Sequence, residues 1–372
     1  MKPWAREQVF QNGDDYFQSL LEDFRRAKSR IDVEVYIFKL DSLGEKILEE
    51  LRAAAARGVQ IRLQVDGLGS PGWTRALVRE VRRTGIQVRV FRSIEGWFFK
   101  LLRRWRHSGS VFRLLNRRNH RKIVVIDEYI AYLGSMNITN DHLPSEKGPS
   151  AWHDVAVRVE GDEVDKLRQA FQRVWYDWQW KSGAGSDPET SLVRVNDSYI
   201  RRSRLHKDLI SRLLSAQKRI WIVTPYFVPH PSMYRALQIA SCAGVEVKLI
   251  VPRISDIRFM TWIARIFYPQ LLDANVHVYE FLPRILHAKG IIIDDWMMVG
   301  SSNMNHRSLF LDLEADVVLV GEQAMRDLEL FFETTVSQSR RMRIEDLRTW
   351  NVFPKMVAVS YTHLTLPTNR EV

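Results

Sequence analysis

The sequence predicts an α/β protein made of two similar halves. Its 372 residues are more than one small hydrophobic core usually holds. Segments of the first half also recur in the second: residues 30–38 (RIDVEVYIF) resemble residues 219–227 (RIWIVTPYF), and residues 54–65 (AAARGVQIRLQV) resemble residues 240–251 (ASCAGVEVKLIV). Each half alternates β-rich runs with helical segments, an order that is typical of sheets with parallel strands.

The repeat also predicts where the domains begin and end. A third pair of segments, residues 85–91 (GIQVRVF) and 275–281 (NVHVYEF), leads in each half towards one more apolar strand, and the first half carries extra residues just before it. The run KSGAGSDPETS is rich in Gly, Ser and Pro and predicts a linker. We therefore expect a first domain at 1–180 with an insertion at 92–119, a linker at 181–191, a second domain at 192–358, and a non-native or disordered tail at 359–372.

The composition favours an anionic partner. A formal net charge of +11 and a pI near 9.7 suit nucleic acid, an acidic membrane surface or a phosphorylated substrate. The single cysteine, Cys242, excludes an internal disulfide framework and suits a reducing compartment. No window of about 18 apolar residues occurs, and the opening residues lack the apolar core of a signal peptide. We expect a cytosolic protein that can still lie on a membrane.

The additional apolar strand has the same charged entrance in both halves, HRKIVVID at residues 120–127 and HAKGIIID at residues 287–294. Successive side chains of a strand point to opposite faces, so His120 and Lys122 share a face and Asp127 points away. The His and Lys are therefore the predicted working pair, and the Asp is the predicted structural anchor. The second copy has the same parity, in the order His287, Lys289 and Asp294.

Further polar residues follow each strand in matching order. GSMN follows the first strand and GSSN follows the second. Their Gly permits a tight turn or a close backbone approach, after which Ser and Asn offer donors on one face. A carboxylate then stands seven residues before a Gly in each half. These additional candidates are Ser135, Asn137 and Asp154 in the first half, and Ser301, Asn303 and Glu314 in the second.

This set of side chains suits a phosphodiester. Lys supplies a positive point charge and Asn a neutral donor for the non-bridging oxygens. With two histidines, one can attack phosphorus while the other protonates the leaving oxygen, and carboxylates can hold both imidazoles in one tautomer. A metal site is the rival interpretation, but the Lys on the same face would repel a cation. One such motif occurs by chance at ordinary strand ends; two matching copies favour function.

These motifs resemble the signature of the phospholipase D superfamily, H-x-K-x₄-D followed by G-S-x-N in two copies. The resemblance implies two similar α/β domains, with mixed sheets flanked by helices, related by a pseudo-twofold axis around one active site at their interface. It also implies a phosphohistidine intermediate and no metal or cofactor. The implied catalytic set is His120, Lys122, Asp127, His287, Lys289 and Asp294, with phosphate bound by Ser135, Asn137, Ser301 and Asn303.

The resemblance leaves the nucleophile as one of the two histidines. We favour His120, with His287 as the general acid, and the reverse assignment stays open. The same resemblance implies that each carboxylate acts across the halves. Asp154 would orient His287, and Glu314 would orient His120.

Within the superfamily the sequence is similar to bacterial cardiolipin synthases over roughly residues 8–335. The blocks DGLGS, TPYFVP and HAKGIIIDDWMMVGSSNMNHRSLFLDLEADV are among those that carry the likeness. It implies a phosphatidyltransferase that joins two phosphatidylglycerols into cardiolipin and releases glycerol. The chain resembles the short type without amino-terminal spans, a peripheral enzyme on the cytoplasmic side of the bacterial membrane. The alternative is a phospholipase D-type phosphodiesterase that hydrolyses phospholipid or nucleic acid; the acceptor alcohol and the oligomeric state stay open.

Two segments are candidates for lipid contact. The insertion is basic and aromatic, and its helical spacing predicts either an interfacial helix or one that packs on its own domain. The segment RFMTWIARIFYPQLL (258–272) predicts either core packing or the lining of an acyl-chain cleft. Aromatics beside basic residues would also suit nucleic acid, but the whole-chain likeness favours lipid. The insertion residues expected at the membrane are Trp97, Phe98, Lys100, Arg103, Arg104 and Trp105.

Overall fold

The computed structural model describes residues 3–93, 117–176 and 191–347, and these form two mixed sheets flanked by helices. The first sheet contains β1 (Arg6–Phe10), β2 (Arg30–Val35), β3 (Gln60–Asp66), β4 (Gln87–Phe91), β5 (Ile123–Ile126), β6 (Ile130–Gly134) and β7 (Ala156–Glu160). The second contains β8 (Val193–Val195), β9 (Arg219–Val223), β10 (Glu246–Pro252), β11 (His277–Phe281), β12 (Gly290–Ile293), β13 (Trp296–Gly300), β14 (Ala315–Leu319) and β15 (Ser339–Arg341).

The two sheets have the same strand order. The first runs β1-β7-β6-β5-β2-β3-β4, and the second runs β8-β14-β13-β12-β9-β10-β11 with β15 added at the edge. In each sheet the three strands joined by helical crossovers are parallel, and the strands joined by short turns are antiparallel. The predicted fold class, two similar α/β halves with mixed sheets, is therefore confirmed.

The helices cover the outer faces of both sheets and the space between them. Several begin with a polar cap, as where Asn12 accepts from the Asp14 amide and Asp41 accepts from the Gly44 amide. The helices are α1 (Gly13–Arg26), α2 (Ser42–Ala56), α3 (Arg75–Arg83), α4 (Pro144–Lys147), α5 (Val164–Trp175), α6 (Tyr199–Ser215), α7 (Pro231–Cys242), α8 (Arg258–Ile266), α9 (Tyr268–Asp273), α10 (His306–Phe310) and α11 (Glu322–Ser337), with 3₁₀ turns at Asn140–His142, Gly148–Ser150 and Ile344–Leu347.

One hydrophobic core is shared by the two halves. The inner faces of both sheets pack with α5 and α11, and the shared core includes Ile123, Leu133 and Val157 from the first half and Ile292, Val299 and Phe331 from the second. The outer face of each sheet packs separately against its own helices, α1 and α2 in the first half and α6 and α7 in the second. The halves are therefore joined by burial of apolar surface, which is the main stabilising term in such contacts.

Some sequence predictions fall outside the described residues. These are the insertion segment 94–116 with all six of its named membrane residues, linker residues 181–190, and the tail at 359–372. The domain boundaries at 1–180 and 192–358 stay predictions. Within the described ranges, every helix is too short or too polar to cross a membrane.

Candidate active site

The two central strands β5 and β12 place the predicted histidines at the junction of the halves. His120 lies three residues before β5, and its amide donates to the Leu313 carbonyl at 3.0 Å. The Leu313 amide donates back to the Arg118 carbonyl at 2.9 Å. A short backbone ladder therefore ties the His120 segment to the segment of the other half that carries Glu314.

The second histidine is held in the same way. The His287 amide donates to the His153 carbonyl at 2.9 Å, and the His153 amide donates to the Ile285 carbonyl at 2.8 Å. This ladder ties the His287 segment to the first-half segment that carries Asp154. Each histidine thus meets the carboxylate of the opposite half because main-chain hydrogen bonds fix the two segments side by side.

The side chains complete these contacts. His120 Nδ1 lies 3.0 Å from Glu314 Oε1, and His287 Nδ1 lies 2.9 Å from Asp154 Oδ1. A carboxylate at Nδ1 holds the proton on that nitrogen and leaves Nε2 as the reactive nitrogen of a neutral imidazole. The arrangement implied by the resemblance, with carboxylates acting across the halves, is the one these distances describe.

Both imidazoles line one cavity of about 910 Å³ at the carboxyl ends of the parallel strands. Asn137 and Asn303 line the same cavity, one from each half. The imidazole of His120 is 13% exposed and that of His287 is 5% exposed, so both are screened from bulk water yet reachable. Ligands commonly bind at this edge of an α/β sheet.

The two lysines are buried beside the histidines. Lys122 Nζ donates to the His120 carbonyl at 2.7 Å, and Lys289 Nζ donates to the His287 carbonyl at 2.5 Å. Burial lowers the pKa of Lys122 to about 7, and the neighbouring Lys289 ammonium adds to the effect. Burial lowers the pKa of Lys289 to about 8. Two like charges this close favour an anion between them, because an anion offsets both their desolvation and their repulsion.

The two orienting carboxylates differ in chemistry. Burial raises the pKa of Glu314 to about 7, against the opposing pull of Lys122. Burial pushes the pKa of Asp154 up as well, but His142 and His287 outweigh it and hold that pKa well below its ordinary range. Asp154 is therefore ionised at neutral pH, whereas Glu314 is partly protonated.

The partners of the carboxylates explain this difference. His142 Nδ1 lies 2.7 Å from Asp154 Oδ2, so two imidazoles share that carboxylate. Glu314 instead accepts from the hydroxyls of Ser301 at 2.5 Å and Ser308 at 2.7 Å. His142 was not predicted from the sequence, since the motif does not contain it and only the folded loop brings it to Asp154.

Both imidazoles are neutral before substrate binds. Burial, followed by the Lys122 and Lys289 ammoniums, lowers the pKa of His120 well below its ordinary value. Burial, followed by Lys289, lowers the pKa of His287 to about 3. A bound phosphodiester anion would raise both values, because an adjacent negative charge favours the imidazolium.

Hydrogen bonds within the protein hold both motif serines, which the sequence predicts as phosphate ligands. The Ser135 hydroxyl donates to the Val155 carbonyl at 2.9 Å and accepts from the Val155 amide at 3.1 Å, next to Asp154 in the chain. Ser301 bonds to Glu314 and to the Ala315 backbone. Asn137 and Asn303 line the cavity and the two serines do not, and the phosphate-binding role of the serines stays a prediction.

The aspartates of the motif lie at the other ends of β5 and β12 from the histidines. Asp127 accepts from the amides of Lys28, Ser29 and Arg30 at 2.8–3.0 Å, at the far end of β5 from His120. Asp294 accepts from the amides of residues 217–219 in the same way. These carboxylates anchor the turn after each strand, and the catalytic role that the resemblance implies for them stays a prediction.

Other cavity residues were not predicted. Tyr36 lies with its ring centroid 5.0 Å from that of His120, and Trp152 lies 5.0 Å from His287. Arg118, at the end of the predicted insertion, is buried, lines the cavity and donates to Asp66 at 2.5 Å. Tyr36 lies in the repeated segment 30–38, so the repeat marks its position. An aromatic residue there is equally typical of the hydrophobic core, so the sequence did not predict its place in the cavity.

Across residues 3–93, 117–176 and 191–347, no group of three or more His, Cys, Asp or Glu side chains is arranged to hold a metal ion.

Comparison with known sequences gives one family. The profile of the family described as "Cardiolipin synthase, PLD-like domain" matches residues 20–175 and 209–336. The chain is 31% identical over 350 residues to the probable cardiolipin synthase YwiE of Bacillus subtilis, covering 90% of this chain and 66% of that protein. It is 31% identical over 367 residues to cardiolipin synthase A of Proteus mirabilis, covering 94% and 72%. The chain thus spans about two thirds of the length of these relatives.

Comparison with solved structures supports the fold. The phosphatidylserine synthase of Haemophilus influenzae matches with a TM-score of 0.66 at 14% identity, covering 97% of this chain and 94% of that one. The polyphosphate kinase of Porphyromonas gingivalis matches with a TM-score of 0.62 at 15% identity, covering 96% and 55%. At these identities the likeness speaks for the fold alone, and it extends over nearly the whole chain.

Proposed function

The chain belongs to the cardiolipin synthase family of phosphatidyltransferases, as its motifs predict, and on this premise we propose that it makes cardiolipin from phosphatidylglycerol through a phosphohistidine. One observation carries the proposal. Two imidazoles, one from each half, line a single cavity, and each is held at Nδ1 by a carboxylate of the other half. A nucleophile and a general acid then stand on either side of one phosphorus atom.

In the first step, Nε2 of His120 attacks the phosphorus of phosphatidylglycerol. The bond from phosphorus to the headgroup glycerol oxygen breaks, and His287, which takes up a proton from solvent when the anionic substrate binds, donates its Nε2 proton to that oxygen. Glycerol leaves with the proton, and the phosphatidyl group is bound to His120. The charge on the non-bridging oxygens is balanced by Lys122 and Lys289, with Asn137 and Asn303 as neutral donors.

In the second step, a glycerol hydroxyl of another phosphatidylglycerol takes the place of the departed glycerol. Neutral His287 accepts the hydroxyl proton, the oxygen attacks phosphorus, and the bond from phosphorus to His120 Nε2 breaks. Cardiolipin forms and both imidazoles return to their starting state. If water takes the same place, phosphatidic acid forms, so the apolar cavity wall that excludes water favours transfer over hydrolysis.

The unequal carboxylates support this division of roles. An ionised partner stabilises an imidazolium, so Asp154 favours a protonated His287, which is what a general acid needs. Glu314, with its pKa raised by burial to about 7, gives His120 less of that stabilisation and favours its neutral, nucleophilic form. In the reverse assignment the nucleophile would be His287, whose partner Asp154 stabilises the protonated, non-nucleophilic imidazolium more strongly.

We place the reaction at the cytoplasmic surface of the bacterial membrane, with phosphatidylglycerol as the partner lipid. Residues 97–105 of the insertion contribute basic and aromatic side chains to this proposal. The net charge of +11 favours an anionic lipid surface. Nucleic acid is not proposed as a partner.

The test is a transfer assay with ³²P-phosphatidylglycerol in vesicles. The protein should convert the label to cardiolipin and release glycerol, and His120→Ala and His287→Ala should each lower turnover by about 10³-fold or more, since each removes a reacting group. His277→Ala is the matched control, because His277 lies on β11 away from the cavity. Phosphatidic acid as the main product would instead favour hydrolysis, and cleavage of plasmid DNA would favour the nuclease alternative.

A further inference from the structure

Exposed apolar side chains surround the mouth of the active-site cavity. Leu40 is 41% exposed and Leu68 is 50% exposed, and both follow parallel strands of the first half. Ile257 is 39% exposed and Phe259 is 41% exposed, and both follow β10 in the second half. All four line the cavity, so both halves contribute apolar surface to one opening.

The exposed apolar surface continues beyond the cavity. Ile254 is 53% exposed in the segment that follows β10. Trp262 is 39% exposed on α8, one helical turn after Phe259 and on the same face. Neither residue lines the cavity. We call these six residues the apolar rim: Leu40, Leu68, Ile254, Ile257, Phe259 and Trp262.

Helix α8 is apolar on two faces. Met260, Ile263 and Ala264 are buried in the protein, as the core-packing interpretation of this segment predicts. Phe259 and Trp262 lie on the outer face, where a surface helix normally carries polar residues. Exposed apolar side chains grouped at the mouth of a cavity are typical of interaction sites.

We infer that the apolar rim inserts into the acyl region of an anionic bilayer and sets the cavity mouth against the membrane. The inference rests on the proposed function, in which the cavity takes the phosphate of a phospholipid. The acyl chains of such a substrate must leave the cavity through its mouth, where the rim residues that line the cavity, such as Leu68 and Phe259, would contact them. Exposed Arg258 lies between Ile257 and Phe259, at the level where anionic headgroups would meet it.

A bilayer fits this surface better than a protein partner. The rim is continuous with the cavity that must receive the lipid headgroup, so a protein seated on it would close the entrance of its own substrate. A bilayer covers the rim and supplies substrate and acceptor at once. With the rim in the bilayer, the bound phospholipid would have one orientation. Its phosphorus would lie deep in the cavity at the histidines, and its acyl chains would extend outward past Phe259 and Leu68.

The test measures co-flotation of the full chain with vesicles of phosphatidylcholine and phosphatidylglycerol in a 4:1 ratio. Trp262→Glu and Ile254→Glu should each reduce the bound fraction at least tenfold. Ile239→Glu on α7 and Leu330→Glu on α11 are matched controls, since these residues are 57% and 56% exposed, lie outside the cavity and receive the same charge. The controls should bind within twofold of the wild-type chain. Thermal unfolding midpoints check the fold of each variant, and Ile254, in an exposed connection, serves if the helix does not tolerate Glu.

A second readout separates this inference from the proposed function. On monomeric short-chain phosphatidylglycerol, Trp262→Glu and Ile254→Glu should keep transfer within twofold, while transfer in vesicles falls with binding. If rim variants float like the controls while transfer proceeds, the inference is overturned and the proposed function stands. If they lose vesicle binding and no variant transfers any phosphatidyl group, the rim stands and the proposed function falls. Wild-type chain that fails to float also overturns the inference.

Discussion

At the scale of the residue, the two halves of the site differ most at one pair of equivalent positions. His142 and Ser308 each stand five residues after the Asn of their motif, and each bonds to the orienting carboxylate of its own half. The backbone amide of Asn137 donates to His142 Nε2 at 3.0 Å, so Nε2 is an acceptor and Nδ1 carries the proton. His142 Nδ1 therefore donates to Asp154, and this bond distinguishes the His287 pair from the His120 pair.

We expect His142→Ala to lower kcat about tenfold or more. The change removes one hydrogen bond to a charged carboxylate, worth about 1.5–3 kcal/mol. Asp154 then takes up a proton more easily and stabilises the His287 imidazolium less well. Both the maximum kcat and the pH at which it is reached should therefore change. His142→Gln keeps an N–H donor and should restore part of the rate.

The control for this prediction is His230→Ala, a half-buried histidine that bonds to Ser232 and not to either carboxylate. A drop in rate with an unchanged pH profile would mean that His142 acts only through packing. An unchanged rate would contradict its positioning role altogether.

Asp127→Asn should cost stability and leave the chemistry alone. The carboxylate accepts three backbone amides, and its replacement should lower the free energy of unfolding by about 2 kcal/mol in urea titrations at pH 7. Although partial burial raises the pKa of Asp127, these amides outweigh it and hold the pKa below 3.8. The stabilisation is therefore present above about pH 4 and is lost as the pH falls through the folded-state value.

At acidic pH the Asp127→Asn variant and the wild-type chain should therefore converge in stability. A variant that is fully stable yet inactive would contradict the anchor role. Strand parity alone predicted which way Asp127 points, because the alternation of side chains is a local property. Parity could not place Ser135, because Ser135 follows the last residue of β6 and its hydroxyl turns back to the Val155 carbonyl.

At the scale of the element, the repeated segments predicted the parallel strands β2, β3 and β4 and their counterparts β9, β10 and β11. The local sequence predicts the alternation of these strands with helices. The local sequence does not predict the strand order, in which β1 pairs with β7 across most of the first half and β8 pairs with β14. Such pairings depend on distant segments meeting, so local pattern does not reveal them.

The strand ends also explain why Gly precedes Ser in both motifs. Gly134 has φ +152° and pairs with Ala156, and a Cβ placed there would lie 2.5 Å from the Ala156 Cα. The close approach lets β6 and β7 bring Ser135 against Val155. A side chain at Gly134 would separate the strands and shift Asp154, which lies next to Val155 in the chain.

Gly134→Ala should therefore lower the free energy of unfolding by about 2 kcal/mol or more, because it combines backbone strain with a steric overlap. Gly72→Ala is the control, since a Cβ at Gly72 meets open space and its backbone is not left-handed. Chemical denaturation of the two variants gives the comparison. Equal stability of Gly134→Ala and the wild-type chain would show that the strands separate without cost.

At the scale of the whole molecule, the shared core joins the halves into one unit. Residues such as Leu133 from the first half and Val299 from the second are fully buried in the same cluster. The Trp4 indole also donates to the Val318 carbonyl at 3.0 Å, which links the start of the first half to β14. The resemblance predicted two domains around one interface, but only the structure shows which residues of both halves form their common core.

We expect the chain to unfold in one cooperative transition, because neither half can bury its inner sheet face alone. Urea curves followed by circular dichroism and by tryptophan fluorescence should coincide. The first half expressed alone, residues 1–180, should expose that face and aggregate. Two separate transitions, or a soluble and folded half, would contradict the shared-core description.

In the proposed mechanism two imidazoles, one from each half, act on one phosphorus. The most direct measurement is a rapid quench with ³²P-phosphatidylglycerol, followed by digestion and mapping of the labelled residue. We predict label on His120 in the wild-type chain, none in His120→Ala, and little in His287→Ala because glycerol then leaves without its proton donor. Turnover without any labelled histidine would contradict this mechanism, and label on His287 would reverse the roles assigned to the two imidazoles.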